Sequence, residues 1–337
     1  MRRSRVRVCL VGDTRQPLDE GMKKTSYHLA RALAAYCEVL VLNPFDALSK
    51  RFWFPLIQFR PHIVHYVPGP SSRSFILLAA AKRTASAKSV MSLTHPDPAP
   101  PAKFISLFLR PDLLLAQSFQ TAQTYRTLGR SIKIVPNGVD TGRFQPVTAK
   151  EKEQLRLKYD LDPGLFLILH VGNTREIRDL EIFTSLQGRG CQVLIVSSTT
   201  IRGDAGVAER LRESGCYVWQ GYLQKVEEVY GLADCYVFPT EHPRGAIEHP
   251  LSVMEAMACN LPIVSRRFGA LPRFFEPGDG LFFVDSDDEM RRTVAEIKVR
   301  RQPVNTRTKV LSFSWDDIAR QIFSLYQAIL CNHTPVS

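Results

Sequence analysis

The chain has 337 residues, 45% of them hydrophobic and 23% charged, which is the balance of a globular protein and excludes a disordered or fibrous one. Its length exceeds what one hydrophobic core usually serves, so two domains are expected. Residues 1–150 carry 22 Lys and Arg against 8 Asp and Glu, a balance of +14, while residues 151–337 carry 22 against 25, a balance of −3; the basic half suits anionic lipid, nucleic acid or a phosphorylated substrate, and charge alone does not choose among them.

The start, Met1 to Arg7, is basic, but the apolar stretch Val8–Val11 behind it is too short for a signal-peptide core and reads as a strand, which points to the cytoplasm. Runs such as Leu113–Ala116 and Leu165–Leu169 fall far short of the ~20 residues of a membrane span, so no transmembrane helix is expected. Seven cysteines without a C-x-x-C pair argue for reduced thiols and against a disulfide framework or zinc cluster.

In chain order, a strand at Val6–Val11 and a helix at Ser26–Ala35 are followed by strands at Glu38–Leu42, Ile63–Val67, Ser89–Thr94, Leu113–Ser118 and Lys133–Val135. This alternation predicts βαβ units and a parallel sheet. The loop after the first strand has no G-x-G-x-x-G, and Gly12 and Gly21 lie too far apart for a Walker A loop, which sets aside a dehydrogenase and a P-loop NTPase. Gly21 at a helix start, followed by Lys23 and Lys24, suits an anion held by free N–H groups; an ordinary loop with solvated lysines accounts for the same residues. Two segments, Lys50–Arg60 and Lys103–Arg110, flank apolar residues with basic ones, as a membrane contact or a buried core segment with charged ends would. His95 ends a strand at the sheet edge where open α/β proteins bind ligands, and imidazole changes charge near neutral pH; a structural histidine fits that position equally.

The polar stretch Thr148–Asp162 reads as the join, giving domains 1–160 and 161–313. Strands then recur at Leu165–Val171, Gln192–Ser197, Tyr217–Gln220, Cys235–Pro239, Pro262–Ser265 and Leu281–Val284. Ser314, with Asp317 at the capping-box position, opens a last helix over 314–331 whose apolar stripe is Ile318, Ile322, Phe323, Tyr326 and Ile329.

Several motifs stand in order: Lys133–Asp140 with Phe144 and Pro146; His170–Gly172 followed by Arg175 and Arg178; Gly221–Gln224 with Gly231–Pro239; and Pro250–Ala258. Together they resemble family 4 of the retaining glycosyltransferases, over most of the chain. The resemblance implies the GT-B fold: α/β, two facing Rossmann-like doubly wound parallel-sheet domains, with the last helix crossing back to the first. It implies transfer of a sugar from a nucleotide diphosphate sugar to a glycan or lipid-linked acceptor with retention, a hexosyltransferase-type activity. No cofactor or metal is expected, because the family manages without a divalent cation.

The resemblance also assigns the donor to Gly21, Arg175, Arg178, Tyr222, Leu251, Ser252 and Glu255, and the chemistry to His95, Arg178 and Glu248. Arg178, and less directly Arg175, would neutralise diphosphate; a guanidinium forks onto two phosphate oxygens as charge develops. The Pro250–Ala258 helix start would receive diphosphate, and Glu255 would accept from ribose hydroxyls.

One position departs from the family. Two glutamates separated by seven residues are usual, and counting back from Glu255 reaches Ile247; Glu248 stands one residue later as a substitute carboxylate, with Glu241 a weaker one. The competing readings are a GT-B scaffold that has lost turnover and a nucleotide-sugar epimerase. Nucleic-acid binding is not expected, because the signatures of the known modules are missing. A peripheral contact with an anionic membrane is an expectation of the basic half.

Overall fold

The computed structural model describes residues 5–94, 108–126, 131–198, 203–300 and 302–331. The chain forms two compact units, Met1–Gly138 with Ile247–His249 and Trp315–Ser337, and Val139–Ala246 with Pro250–Ser314.

In chain order the first unit contains β1 (Arg7–Val11), α1 (Gly21–Leu33), β2 (Glu38–Leu42), α2 (Lys50–Phe59), β3 (Ile63–Gly69), α3 (Ser72–Ala85), β4 (Lys88–Leu93), β5 (Leu113–Ala116), α4 (Phe119–Arg126) and β6 (Ile132–Ile134). The strands form one parallel sheet in the order β2-β1-β3-β4-β5-β6. Helices cover both faces, so β1, β3 and β5 are near-continuous apolar runs rather than alternating ones. Phe52 and Leu56 of α2 and Phe75 and Leu78 of α3 pack against Val64, Met91 and Leu114. α1 starts at Gly21, ahead of the expected Ser26, because the Glu20 carboxylate accepts from the N–H groups of Met22 and Lys23 at 2.9 and 3.0 Å.

The second unit contains α5 (Ala149–Lys158), β7 (Phe166–Val171), α6 (Ile182–Leu186), β8 (Cys191–Ser197), α7 (Ala205–Glu213), β9 (Tyr217–Gln220), α8 (Val226–Gly231), β10 (Cys235–Phe238), α9 (Leu251–Ala258), β11 (Ile263–Ser265), α10 (Leu271–Phe274), β12 (Leu281–Phe283) and α11 (Asp287–Arg300). Its strands are again all parallel, in the order β12-β11-β10-β7-β8-β9. The expected boundary near residue 160 differs from the observed division after Gly138. The reason is α5, which opens on a Thr148–Glu151 capping box and is bound to the second unit through Arg156. That buried guanidinium donates to the carbonyls of Leu232, Pro163 and Leu165 and pairs with Asp234.

The last helix, α12 (Trp315–Cys331), belongs to the first unit and buries Ile318, Ile322 and Tyr326 of the expected stripe. The Tyr326 hydroxyl meets His65 Nδ1 at 2.6 Å, and Trp315 stacks on His28. All seven cysteines are free thiols. Among the described residues no helix is long and apolar enough to cross a membrane.

Candidate functional site

In the second sheet the chain first runs outward through β7, β8 and β9 and then returns to the other side of β7 with β10. The crevice outside the carboxyl ends of β7 and β10 is therefore the topological switch point, where open α/β sheets bind ligands.

β7 ends in His170 and Val171, and Gly172 follows. His170 is fully buried, and its Nδ1 donates to the Val237 carbonyl at 2.9 Å. Burial and the charge of Arg178 push its pKa down to about 3, so the ring is neutral and Nε2 is an acceptor. The turn Glu176–Arg178 then sends Arg175 outward and Arg178 inward. Arg178 is 8% exposed, and no described carboxylate pairs with it. Desolvation pushes its pKa down to about 10, which leaves it charged at neutral pH. Glycine at 172 makes room for it: a Cβ there would lie 2.4 Å from Arg178 Nη1 and 3.1 Å from His170 Nε2.

The loop after β10 is held against this turn. Thr240 Oγ1 donates to the Arg178 carbonyl, and the Glu241 N–H donates to Asp179 Oδ2 at 3.0 Å. Gly245 passes so close that a Cβ would stand 2.9 Å from the Ile177 carbonyl oxygen. Five buried polar atoms of this region lack a described partner: His170 Nε2, Asn173 Oδ1, Thr174 Oγ1, and Nε and Nη1 of Arg178. Native proteins rarely leave such atoms unsatisfied, and a bound polar ligand is one of the few reasons to do so.

α9 supplies the rest. Its N-cap is Pro250, which offers no side-chain acceptor to the first-turn amides of Leu251 and Ser252. The Ser252 side chain is hydrogen-bonded to the hydroxyl of Tyr236, whose ring stacks on His170 at 6.2 Å. One turn on, Glu255 is buried and accepts from the Tyr230 hydroxyl at 2.7 Å. Burial and the Glu255 charge hold that hydroxyl well above the usual tyrosine range. Tyr230→Phe leaves the buried carboxylate one donor short and is expected to cost about 1–3 kcal/mol of stability. An unchanged midpoint in urea denaturation would remove Tyr230 as the support of Glu255. Tyr222, by contrast, is 43% exposed in the loop after β9.

Of the predicted residues that the structure describes, two fall in the first unit. Gly21 opens α1, but the N–H groups of Met22 and Lys23 that an anion would use there are taken by Glu20, and Ile247 Cδ1 lies 3.3 Å from the position of a Cβ at Gly21. Glu248 belongs to Ile247–His249, the short segment that groups with the first unit. Its N–H donates to the Thr94 carbonyl at 3.2 Å, and its Oε1 accepts from Ser118 and Thr121 at 2.6 and 2.8 Å. Oε2 is buried without a described partner, and burial holds the carboxyl above the usual carboxylate range. His95 and most of Lys103–Arg110 lie outside the described residues. Glu241 is exposed and pairs with Arg266 at 2.8 Å.

Sequence reasoning missed the network beside Glu248. Asn137 donates its N–H to His249 Nδ1 and its side-chain amide to the His249 carbonyl, while Gln117 donates to Asn137 Oδ1 at 2.8 Å. Asn137 was visible inside a motif, but nothing local to residue 249 signalled its partner. Among the described residues no three His, Cys, Asp or Glu side chains cluster as a metal-ligand set.

Two doubly wound parallel-sheet domains of this kind make up the GT-B fold. The solved structures of similar fold agree. Anabaena HepE in complex with UDP and glucose superposes with a TM-score of 0.75 at 13% identity, covering 96% of this chain and all of that one. Sucrose-phosphate synthase from Thermosynechococcus elongatus gives 0.75 at 15% identity, covering 97% of this chain. Residues 168–298 match the family described as Glycosyl transferases group 1. The chain is 27% identical over 247 residues to the sulfoquinovosyl transferase SQD2 of Arabidopsis thaliana, covering 67% of this chain and 46% of that protein. It is 25% identical over 228 residues to a D-inositol 3-phosphate glycosyltransferase of Segniliparus rotundus, covering 62% of this chain and 49% of that protein. The chain thus spans about half the length of these curated relatives.

Proposed function

We propose that this chain is a cytoplasmic glycosyltransferase that moves a sugar from a nucleoside diphosphate sugar to a glycan or lipid-linked acceptor, with retention at the anomeric carbon. The observation that carries the reading is Arg178, a buried cation without a described counter-charge at the β7–β10 switch point. A diphosphate supplies the missing charge. Arg178 binds its oxygens and stabilises them as the sugar departs and negative charge grows on the leaving group. The Leu251 and Ser252 amides at the start of α9 receive further phosphate oxygens. Glu255, steadied by Tyr230, accepts from ribose hydroxyls. Arg175 and Tyr222 take the more exposed parts of the donor. His95 and Glu248 are assigned to the transferring sugar. The reaction needs no divalent cation in this scheme, because Arg178 and the helix amides provide the positive field.

The relatives' printed names support the class of reaction: a sulfoquinovosyl transferase, an inositol phosphate glycosyltransferase and, at 23% identity, a GDP-mannose-dependent mannosyltransferase acting on a phosphatidylinositol monomannoside. The test is a thermal-shift screen of the whole chain against nucleoside diphosphates and their sugars, followed by radiolabelled transfer to a lipid and glycan extract with the stabilising donor. Stabilisation by one nucleotide class and a labelled glycoside product are expected. Stabilisation without any product would replace the transferase by a binding scaffold, and release of an isomerised sugar would replace it by an epimerase.

A further inference from the structure

The first unit carries an apolar surface that its own packing does not use. α2 is amphipathic only in a special sense: Phe52 and Leu56 point into the core, yet its outer side mixes large apolar side chains with basic and polar ones. At 100° per residue, Lys50, Arg51, Phe54, Ile57 and Gln58 fall within about a third of the helix circumference. All five are exposed, Phe54 to 66% and Ile57 to 54%. The corner just before the helix adds Phe45 and Leu48, exposed to 78% and 103%.

That corner is held firmly. Ser49 Oγ caps the Arg51 N–H and donates to the Asp46 carbonyl, and Trp53 Nε1 donates to the Ala47 carbonyl at 2.8 Å. Leu48 is therefore displayed by the local hydrogen bonding. A surface helix of a globular protein normally turns polar side chains outward, so a contiguous set of large apolar ones marks a contact.

Charge identifies the partner. From residue 47 to residue 96 the sequence has seven Lys and Arg and no Asp or Glu. Lys82 and Lys88 pair with Asp112, which leaves Lys50, Arg51, Arg60, Arg73 and Arg83 with no carboxylate in that stretch. Arg73, Ile76 and Arg83 are exposed on α3, the helix packed beside α2. Large apolar side chains ringed by cations, with Asp46 the one acid within the corner, match the interface of an anionic bilayer: the rings and aliphatic groups enter the acyl boundary while the cations reach the headgroups. A second copy of the chain would bring Lys50 and Arg51 against their own kind.

We propose that the Phe45–Phe59 corner and the outer side of α3 dock this protein on an anionic membrane surface. The proposal goes beyond the transferase reading and is tested without any nucleotide sugar, so the two fail separately.

The experiment is co-sedimentation of the whole chain with vesicles of phosphatidylcholine, with and without phosphatidylglycerol. Sedimentation is expected only with phosphatidylglycerol and is expected to weaken as salt is raised. Removing one cation should weaken partitioning about fivefold, so Lys50→Gln with Arg51→Gln should lose more than tenfold. Phe54→Ser with Ile57→Ser should lose about tenfold while the melting temperature holds, because neither side chain is in the core. Equal binding to neutral vesicles, no binding to either kind, or variants that sediment like the wild type would each overturn the proposal. A self-association seen by light scattering and abolished by Phe54→Ser with Ile57→Ser, without vesicle binding, would assign the face to a second copy instead.

Discussion

Arg178→Met is expected to make the ligand-free protein more stable and at the same time to remove most of its affinity for nucleoside diphosphates. The guanidinium is buried with no described counter-ion, and desolvation pushes its pKa down to about 10. At neutral pH it is charged in both the folded and the unfolded chain, so the depression is a folding cost of roughly 3 kcal/mol, constant across that range. Methionine replaces the aliphatic stem and has no charge to desolvate, while the space left by the guanidinium offsets part of the gain, so about 1–2 kcal/mol should be recovered, which raises Tm by roughly 2–8 °C. Binding moves the other way. A charge-assisted hydrogen bond to phosphate contributes about 1.5–3 kcal/mol, so affinity should fall about tenfold to a hundredfold. Thermal unfolding with and without the stabilising nucleotide reads both effects. Gly172→Ala separates position from charge: its Cβ would stand 2.4 Å from Nη1 and must displace the guanidinium. That variant should bind diphosphate several-fold more weakly while retaining the charge. If Arg178→Met leaves both Tm and affinity where they were, the switch point is not a diphosphate site.

The strands were readable because both sheets are buried on two faces and parallel, which turns each strand into a short apolar run. β7 was expected at Leu165–Val171 and spans Phe166–Val171; β9 was expected and found at Tyr217–Gln220. Helix boundaries were less legible. The start of α1 depends on Glu20, a less usual cap, and the run Phe52–Ile57 with Pro55 inside α2 has no helical alternation to detect. Arg178 and Glu255 stood inside motifs and could be named. What could not be read is the state in which the fold holds them. The buried charge of Arg178 is accommodated because His170 beside it stays neutral and Gly172 leaves room, and the support of Glu255 comes from Tyr230, a residue on another helix. The contacts of residues 247–249 are still less local: His249 meets Asn137 and Gln117 across 112 and 132 residues of sequence, a separation that no periodicity records.

Glu248→Gln is the second substitution with a large expected effect, and it separates the structural contacts of the carboxylate from the sugar contact proposed for it. Oε1 accepts from the hydroxyls of Ser118 and Thr121, and a glutamine carbonyl oxygen can accept both, so the attachment of Ile247–His249 should survive. Burial raises the carboxyl pKa above its unfolded value, so the folded state binds the proton more tightly. Wild-type stability should therefore fall as pH rises from the ordinary carboxylate range through the folded pKa, and the cost of the buried charge is fully present only above that. Glutamine carries no such cost. The variant should be more stable than the wild type at pH 7 to 8, and the difference should shrink as the pH is lowered through the carboxylate range. Nucleoside diphosphate affinity should be nearly unchanged, because Arg178, Leu251, Ser252 and Glu255 are untouched. Transfer should fall about a hundredfold, since Oε2, the oxygen without a described partner, loses the charge with which it would orient a sugar hydroxyl. Glu241→Gln, which removes the charge of an exposed carboxylate from a buried Arg266 that keeps its second partner Asp287, should change transfer far less. A Glu248→Gln protein that is more stable than the wild type at pH 7 to 8 and still transfers at the wild-type rate would make Glu248 a tether alone and leave the sugar contact to another residue.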